Sequence, residues 1–201
     1  MDRVLRPGAR LQRAFFARRA PVVARALIGT ILLHDGVGGV VVETEAYDAL
    51  DPASHSFRGK TVRNAPMFGP PGHAYVYFTY GVHWCFNVVC AREGVSDAVL
   101  IRALEPLAGI ARMEKRRGAA VTARDLARGP GRLAQALGID KRFDAADLVD
   151  GPIGFYRPVT RVRRRIVAGP RVGISKAEAT PWRFYDETSR FVSRLPAKGR
   201  R

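Results

Sequence analysis

Residues 41–89, VVETEAYDALDPASHSFRGKTVRNAPMFGPPGHAYVYFTYGVHWCFNVV, constrain the fold more than any other part of the chain. The segment opens on an apolar run that becomes alternating, Glu43-Thr44-Glu45-Ala46-Tyr47. That is a strand pattern, and it sets two carboxylates and a tyrosine on one face. The segment closes on two apolar runs, 75–79 and 84–89, hinged at Tyr80-Gly81. These read as a β-hairpin with a bulky ring at its apex. Between them lie His55, the pair Arg63-Asn64 and the turn Gly69-Pro70-Pro71-Gly72. Residues 48–73 carry no period, and an irregular run of that length inside a domain is usually functional or disordered.

The remaining pattern supplies helices and further strands. Residues 1–10 read as an extended arm. Apolar residues then recur at helical spacing (Leu11, Phe15, Val22, Val23, Ala26, Leu27) with Pro21 among them, so two helices with a break before the proline are expected. Residues 30–34 read as a short strand, and 36–39 as a turn into a strand over 39–47. Residues 98–104 predict a strand interrupted by Arg102, and 106–117 a helix with Pro106 near its first turn and Gly118 at its end. Short helices are expected over 122–126 and 132–137, the second closed by Gly138. Residues 155–167 read as strands on which Arg161, Arg163 and Arg165 share a face. A last strand is expected at 171–174, with 181–185 near it, and the basic tail 196–201 is expected to fray, like the arm. At 201 residues, without repeat or linker, the economical architecture is a single α+β domain over residues 1–201.

Composition narrows the partner. An apolar fraction of 47% with 26% charged residues is ordinary for a folded protein, but 34 Lys and Arg against 18 Asp and Glu give +16. Residues 101–201 hold 23 of those bases against 10 acids. Such a balance, rich in arginine, implies a polyanionic partner. Charge alone fits a ribosome-associated protein as well as an enzyme of DNA. No run of about 18 apolar residues is present, so no membrane span is expected. The arginine-rich start has no apolar core, so no secretion signal is expected. Cys85 and Cys90 fall on one predicted strand, where a mutual disulfide is geometrically disfavoured, and they read as reduced, buried thiols of a cytoplasmic protein.

Three chemistries compete for the candidate site. Paired carboxylates suit glycosidic bond cleavage, where a carboxylate deprotonates the water that attacks an oxocarbenium-like sugar. Strand acids more often simply face solvent, but Tyr47 shares the face of Glu43 and Glu45, and His55, Tyr75 and Tyr77 are available to wall a cavity. Flat walls are what an extruded nucleobase requires. Tyr80 at the apex either lies on a neighbouring loop or enters a base stack, partly unstacking it at a cost of roughly a few kcal/mol per step. Metal chemistry is the competitor, with His83 and Cys85 on one strand face and Cys90, His55 and His73 as distant helpers. Neither a C-x-x-C nor an H-x-E…P-C-x-x-C pattern occurs, which counts against structural zinc and zinc deaminases. The Gly69–Gly72 turn is no phosphate cradle, because two prolines remove the backbone donors it would need.

These residues resemble the alkyladenine DNA glycosylase family, the 3-methyladenine DNA glycosylases of mammalian type that also occur in bacteria. The resemblance is carried by VETEAY at 42–47, ASHS at 53–56, RN-x-x-MF at 63–68, PG-x-x-YVYFTYG at 71–81 and C-x-N at 85–87. It continues through IRALEPL at 101–107, GPGRLAQALGI at 129–139 and RVGI at 171–174, in one order along nearly the whole chain. It implies that Glu45 is the general base, with Arg102 in the network that holds the water and a nearby phosphate. It also implies that Tyr47 stacks on one face of the flipped purine, that His55 and Tyr77 form the opposite wall, and that the His55 backbone meets the purine edge. Asn87 would crowd the amino group of guanine, Tyr80 would intercalate, and Met67 and Phe68 would lie along the opened minor groove. Arg63 and Arg132 complete the expected DNA contacts.

The same resemblance implies a curved, mainly antiparallel sheet with surrounding helices and a protruding hairpin, no metal or other cofactor, and no lyase step. A lyase needs an amine nucleophile, and the motif region offers only Lys60. Ala49 replaces the glycine that relatives often have after EAY, and Val82 the methionine many have, so substrate breadth is where this chain departs. The expected function is excision of alkylated or deaminated purines, such as 3-methyladenine and hypoxanthine, from double-stranded DNA by a monomer. A basic nucleic-acid-binding module without catalysis explains the charge but gives Glu43 and Glu45 no reason to share a face with Tyr47. A carbohydrate glycosidase explains the carboxylates and rings but not the charge.

Overall fold

The structure, a computed structural model, describes residues 6–118, 120–160 and 162–193. Expectations for the start of the arm, for Arg161 and for the tail 196–201 fall outside these residues. In chain order the elements are β1 (Pro7–Arg10), α1 (Arg13–Phe16), α2 (Ala20–Leu27), β2 (Ile31–His34), β3 (Val37–Tyr47), β4 (Ala74–Thr79) and β5 (His83–Cys90). They continue with β6 (Asp97–Ala108), α3 (Ile110–Arg117), α4 (Pro130–Leu137), β7 (Ile153–Pro158), β8 (Ile166–Gly169) and β9 (Arg183–Asp186), with short 3-10 turns between.

All strands join one antiparallel sheet in the order β1-β7-β2-β3-β6-β5-β4. Strand β3 is its axis. Along one edge it pairs with β6 from Gly38 to Tyr47. Its other edge is shared, with β2 taking residues 37–40 and β9 taking Glu43 to Glu45, so β8 and β9 fork off the main path. Close strand approach at the start of β3 needs glycine: a Cβ at Gly38 or Gly39 would run into the carbonyls of Leu32 and Glu105. The result is α+β and single-domain, as the pattern indicated.

The core lies between this sheet and the helices. Helix α2 buries Ala20, Val23, Ala24 and Leu27, the i, i+3, i+4, i+7 face of a helix, and Thr44 Oγ1 donates to the Ala24 carbonyl at 2.9 Å to dock β3 on it. Phe16, Phe86 and Phe155 stack and tilt against one another beneath the sheet, and α4 adds Leu133 and Leu137. At the start of α4, Gly131 lets the helix lie directly on the His83 ring, where any Cβ would overlap it.

Several sequence expectations need correcting. Residues 7–10 are not a free arm, because they form β1 on the edge of β7, with Arg10 donating to the carbonyls of Gly151 and Ile153 at 2.6 and 2.7 Å. Strand β3 starts at Val37 rather than 39, the turn being Asp35-Gly36, both at positive φ. Strand β6 runs through Pro106 to Ala108, and α3 starts only after Gly109, at φ +66°. Pro106 is tolerated there opposite Gly39, which has no side chain to obstruct it. The described residues 159, 160 and 162–165 form no strand: Arg163 and Arg165 are exposed, and Arg164 folds inward onto Asp186 at 2.7 Å. Residues 171–174 form no strand either, since buried Arg171 is anchored by side-chain bonds, and the last strand is β9.

Candidate active site

Between the β4–β5 hairpin, the 52–55 loop and the 172–176 loop lies a cleft of about 430 Å³. Tyr47, His55, Met67, Tyr75, Tyr77, Cys85, Asn87 and Arg102 all contribute to its lining. The aromatic walls are mutually braced. Tyr75 and Tyr77, two apart on β4, stack at 5.2 Å, and the His55 ring meets Tyr77 edge-on at 4.4 Å. His55 Nδ1 shares a hydrogen bond of 2.9 Å with the Tyr75 hydroxyl. Burial, and then the Arg63 guanidinium, hold the His55 imidazole below its ordinary pKa, which favours a neutral ring. Burial pushes the Tyr75 phenol up to about 12, and those of Tyr47 and Tyr77 further up, so all three are uncharged walls.

Glu45 does not itself line the cleft. It is fully buried one residue behind the wall, and three cleft-lining residues donate to it: Tyr47 hydroxyl to Oε2 at 3.0 Å, Arg102 Nη1 to Oε2 at 3.1 Å, and the Val172 amide to Oε1 at 2.7 Å. Its partner carboxylate, Glu43, faces the same side, as the two-residue spacing predicts, and accepts from Arg102 Nε (2.9 Å), Arg183 Nε (2.8 Å), the Ser193 amide (2.6 Å) and Ser193 Oγ (2.9 Å). Burial would raise the Glu43 pKa, but the two guanidiniums and the Ser193 bonds outweigh it and hold the group below its ordinary value. Arg102 reaches both acids because the β3–β6 register shifts there: Glu43 faces Ala103 and Thr44 faces Ile101, so Arg102 falls at a bulge that re-aims its side chain.

The structure brings the other sequence candidates together unevenly. Asn87 is buried in the wall, with its amide donating to the Tyr75 carbonyl at 3.0 Å. Tyr80 is 81% exposed at the hairpin apex, where Tyr80 and Gly81 have φ of +51° and +66° and the Val82 amide closes the turn on the Thr79 carbonyl at 3.1 Å. A non-glycine residue in that region costs roughly 1–2 kcal/mol, so the hairpin holds its ring outward against a local preference. Arg63 ties the irregular segment to the hairpin through the Phe78 carbonyl at 3.0 Å. Met67 is only 2% exposed and packs with Tyr75, Val89 and Ala98, so it is an inner wall of the cleft rather than an outer surface; Phe68 is half-buried beside it. Arg132 stands apart, exposed on α4 and paired with Asp125 at 2.7 Å, in a broad arginine-rich groove on the far side of the hairpin.

Four residues position the site without the sequence analysis giving any of them a role. Arg171 forks onto Asp51, donates to the Ala46 carbonyl at 2.9 Å and lies 4.7 Å over the Tyr47 ring, bracing that ring from behind. Asn64 ties the irregular segment together, donating to the carbonyls of His55 and Gly59 at 2.9 and 3.0 Å. Both stand inside motifs that the sequence displays, RVGI and RN-x-x-MF. Arg183 and Ser193, which hold Glu43, carry no sequence signal at all. His83 and Cys85 do share a strand face at the cleft, but among the described residues no group of three or more His, Cys, Asp or Glu gathers as a metal site requires. Both cysteines are free and buried.

The arrangement is a buried carboxylate held by donors behind uncharged rings, a geometry that suits activation of water beside a flat, apolar group. Comparison with known proteins carries this further. The family model described as methylpurine-DNA glycosylase (MPG) matches residues 14–190, and the chain belongs to that family of DNA glycosylases. A protein of Rhodopseudomonas palustris strain HaA2, named "Putative 3-methyladenine DNA glycosylase", is 55% identical over 186 residues, covering 92% of this chain and 91% of its own length. Proteins given the same name in Granulibacter bethesdensis (56% identical; 89% and 85% covered) and Burkholderia lata (51%; 93% and 92%) are similarly related. No helix among the described residues is long and apolar enough to cross a membrane.

Proposed function

We propose that this DNA glycosylase excises alkylated and deaminated purines, 3-methyladenine and hypoxanthine among them, from double-stranded DNA by flipping the nucleotide and hydrolysing its N-glycosidic bond. The observation that carries this reading is the placement of Glu45 directly behind a cleft walled by Tyr47, His55 and Tyr77, beside an outward-held Tyr80. Tyr80 enters the stack and fills the place of the extruded nucleotide. The purine lies between Tyr47 and the His55–Tyr77 wall, with Asn87 discriminating at its edge. Arg63, Phe68 and Arg132 meet the DNA, while Met67 supports the wall from inside.

In the chemical step the bond from C1′ to the purine breaks, and its electron pair stays with the purine. On an alkylated, cationic purine that pair neutralises the ring, which is why such bases leave readily. Glu45 takes a proton from water, the water oxygen bonds C1′, and Arg102 keeps the carboxylate in place. The reaction uses no metal or other cofactor and stops at the abasic site without a lyase step. The protein works as a cytoplasmic monomer.

The test is incubation, with EDTA present, with duplexes carrying a single hypoxanthine or 3-methyladenine. Strand breaks should appear only after alkali. Intact glycosidic bonds throughout would sink the excision reading, and breaks without alkali would sink the monofunctional one.

A further inference from the structure

Glu43 is the member of the carboxylate pair left without a part in the chemistry. It is fully buried, does not line the cleft, and accepts four hydrogen bonds from protein donors, three on Oε1 and one on Oε2, so it is held by the fold rather than turned toward the cleft. A guanidinium beside a single carboxylate ordinarily closes on it with two parallel hydrogen bonds. Arg102 does not do so here. Its Nε goes to Glu43 at 2.9 Å and its Nη1 to Glu45 at 3.1 Å, so one cation is divided between two anions.

We infer that Glu43 is a positioning residue: by holding one side of the Arg102 guanidinium, it limits that guanidinium to a single hydrogen bond on Glu45 and so preserves Glu45 as a proton acceptor. This rests on the proposed role of Glu45. Glu43 is itself fixed from two further directions, by Arg183 on β9 and by both the amide and the hydroxyl of Ser193. Ser193 Oγ also accepts from Arg102 Nη2 at 3.4 Å. Ser193 therefore takes part in setting the orientation of Arg102. A purely structural reading would make the cluster a pillar of the fold, yet a buried ion pair is a weak pillar compared with apolar packing of the same volume.

The readout is the pH dependence of excision. The charged and titratable groups facing Glu45 are Tyr47 on its own strand, Arg102 on β6, Cys85 on β5 and Arg171 from the loop before Val172; those facing Glu43 are Arg102 and Arg183. With Glu43→Gln, Arg102 is free to close on Glu45 alone. That favours the charged form of Glu45 and weakens it as a base. The acidic limb of kcat should then move to lower pH, and the plateau should fall by about 10- to 100-fold, with KM within roughly twofold of wild type. Ser193→Ala, which keeps the amide bond but loses the hydroxyl, should shift the limb in the same direction by less.

The substrate is a duplex with one hypoxanthine, and circular dichroism confirms that each variant is folded. Should Glu43→Gln fail to fold, the Ser193→Ala limb decides. A folded variant whose acidic limb stays where it was, or which loses only substrate affinity, overturns the inference and leaves the proposed function standing. A wild-type chain that excises nothing overturns both.

Discussion

Replacing Glu45 with glutamine changes one oxygen to an amide and nothing in volume, and the geometry says what that does. The carboxylate accepts from Tyr47 and Arg102 on Oε2 and from the Val172 amide on Oε1. A glutamine can offer an acceptor to only one of these sides. If its oxygen keeps Arg102 and Tyr47, its NH2 faces the Val172 N–H at 2.7 Å, donor against donor. If it turns, two donors lose their acceptor. Either way at least one charge-assisted bond is lost, at about 1.5–3 kcal/mol, and a fall in Tm of roughly 3–12 °C follows for a chain of this size. The catalytic loss is separate and larger. Removing a general base costs about 10²- to 10⁴-fold, so single-turnover excision of hypoxanthine should drop by at least two orders of magnitude. Lesion binding, which the proposal assigns to Tyr47, His55, Tyr77 and Tyr80, should change little. The assay pairs alkali-revealed abasic sites with a gel-shift on the same duplex. A Glu45→Gln protein that keeps more than a tenth of wild-type turnover would remove Glu45 from the chemistry.

Other perturbations test other parts. Tyr80→Ser should weaken capture of a lesion in duplex by about 1–3 kcal/mol, the worth of one base–aromatic stack, while leaving a lesion in single-stranded DNA unaffected; equal loss on both would discredit the wedge. Affinity for duplex should fall steeply with salt, by about 10³-fold between 50 and 200 mM if six or more phosphates are neutralised, and a flat salt curve would argue that the arginine-rich second half does not face DNA. Arg171→Met leaves Asp51 buried and unpaired at a cost of about 3–5 kcal/mol, whereas Arg171→Met with Asp51→Leu should recover much of the Tm, as a thermal melt would show. Tyr47, Tyr75 and Tyr77 hold their protons in the folded state beyond the ordinary phenol value of 10.0 because burial disfavours the phenolate. Their contribution to stability is therefore complete below pH 10 and lost as pH rises toward the folded values. A Tm unchanged from pH 9 to 11.5 would contradict that burial.

What was legible in the sequence follows the range of the forces involved. Glu43, Glu45 and Tyr47 could be placed on one face because strand period is local, and the hairpin with Tyr80 at its apex could be read from two apolar runs and a glycine. Pro106 has the sequence signature of a helix start, because its tolerance in β6 depends on Gly39, far away in the chain. Arg161, Arg163 and Arg165 alternate as a strand face would, yet Arg164 between the latter two is the one that pairs inward with Asp186, a partner the local period does not reveal. Arg183 and Ser193 could not be seen at all: their partner is Glu43, 140 and 150 positions away, and nothing in the composition around them announces it.

If Glu45 is the base proposed above, its hydrogen bonds also fix where the water would stand. A carboxylate offers about four lone-pair directions, and among the described residues three are taken, two on Oε2 and one on Oε1. The direction left over is on Oε1, beside Val172, and Val172 belongs to the 172–176 loop that forms one lip of the cleft. Oε2 is closed by Arg102 and by the tyrosine whose ring is also a wall, so the oxygen that anchors the carboxylate and the oxygen that can accept a proton are different atoms. This division matches the architecture. The anchoring donors Tyr47 and Arg102 come from β3 and β6, strands paired along most of their length, whereas Val172 comes from an irregular loop. On the proposed reading, the paired strands fix the direction of the base, and the loop supplies the lip of the cleft nearest the oxygen left open.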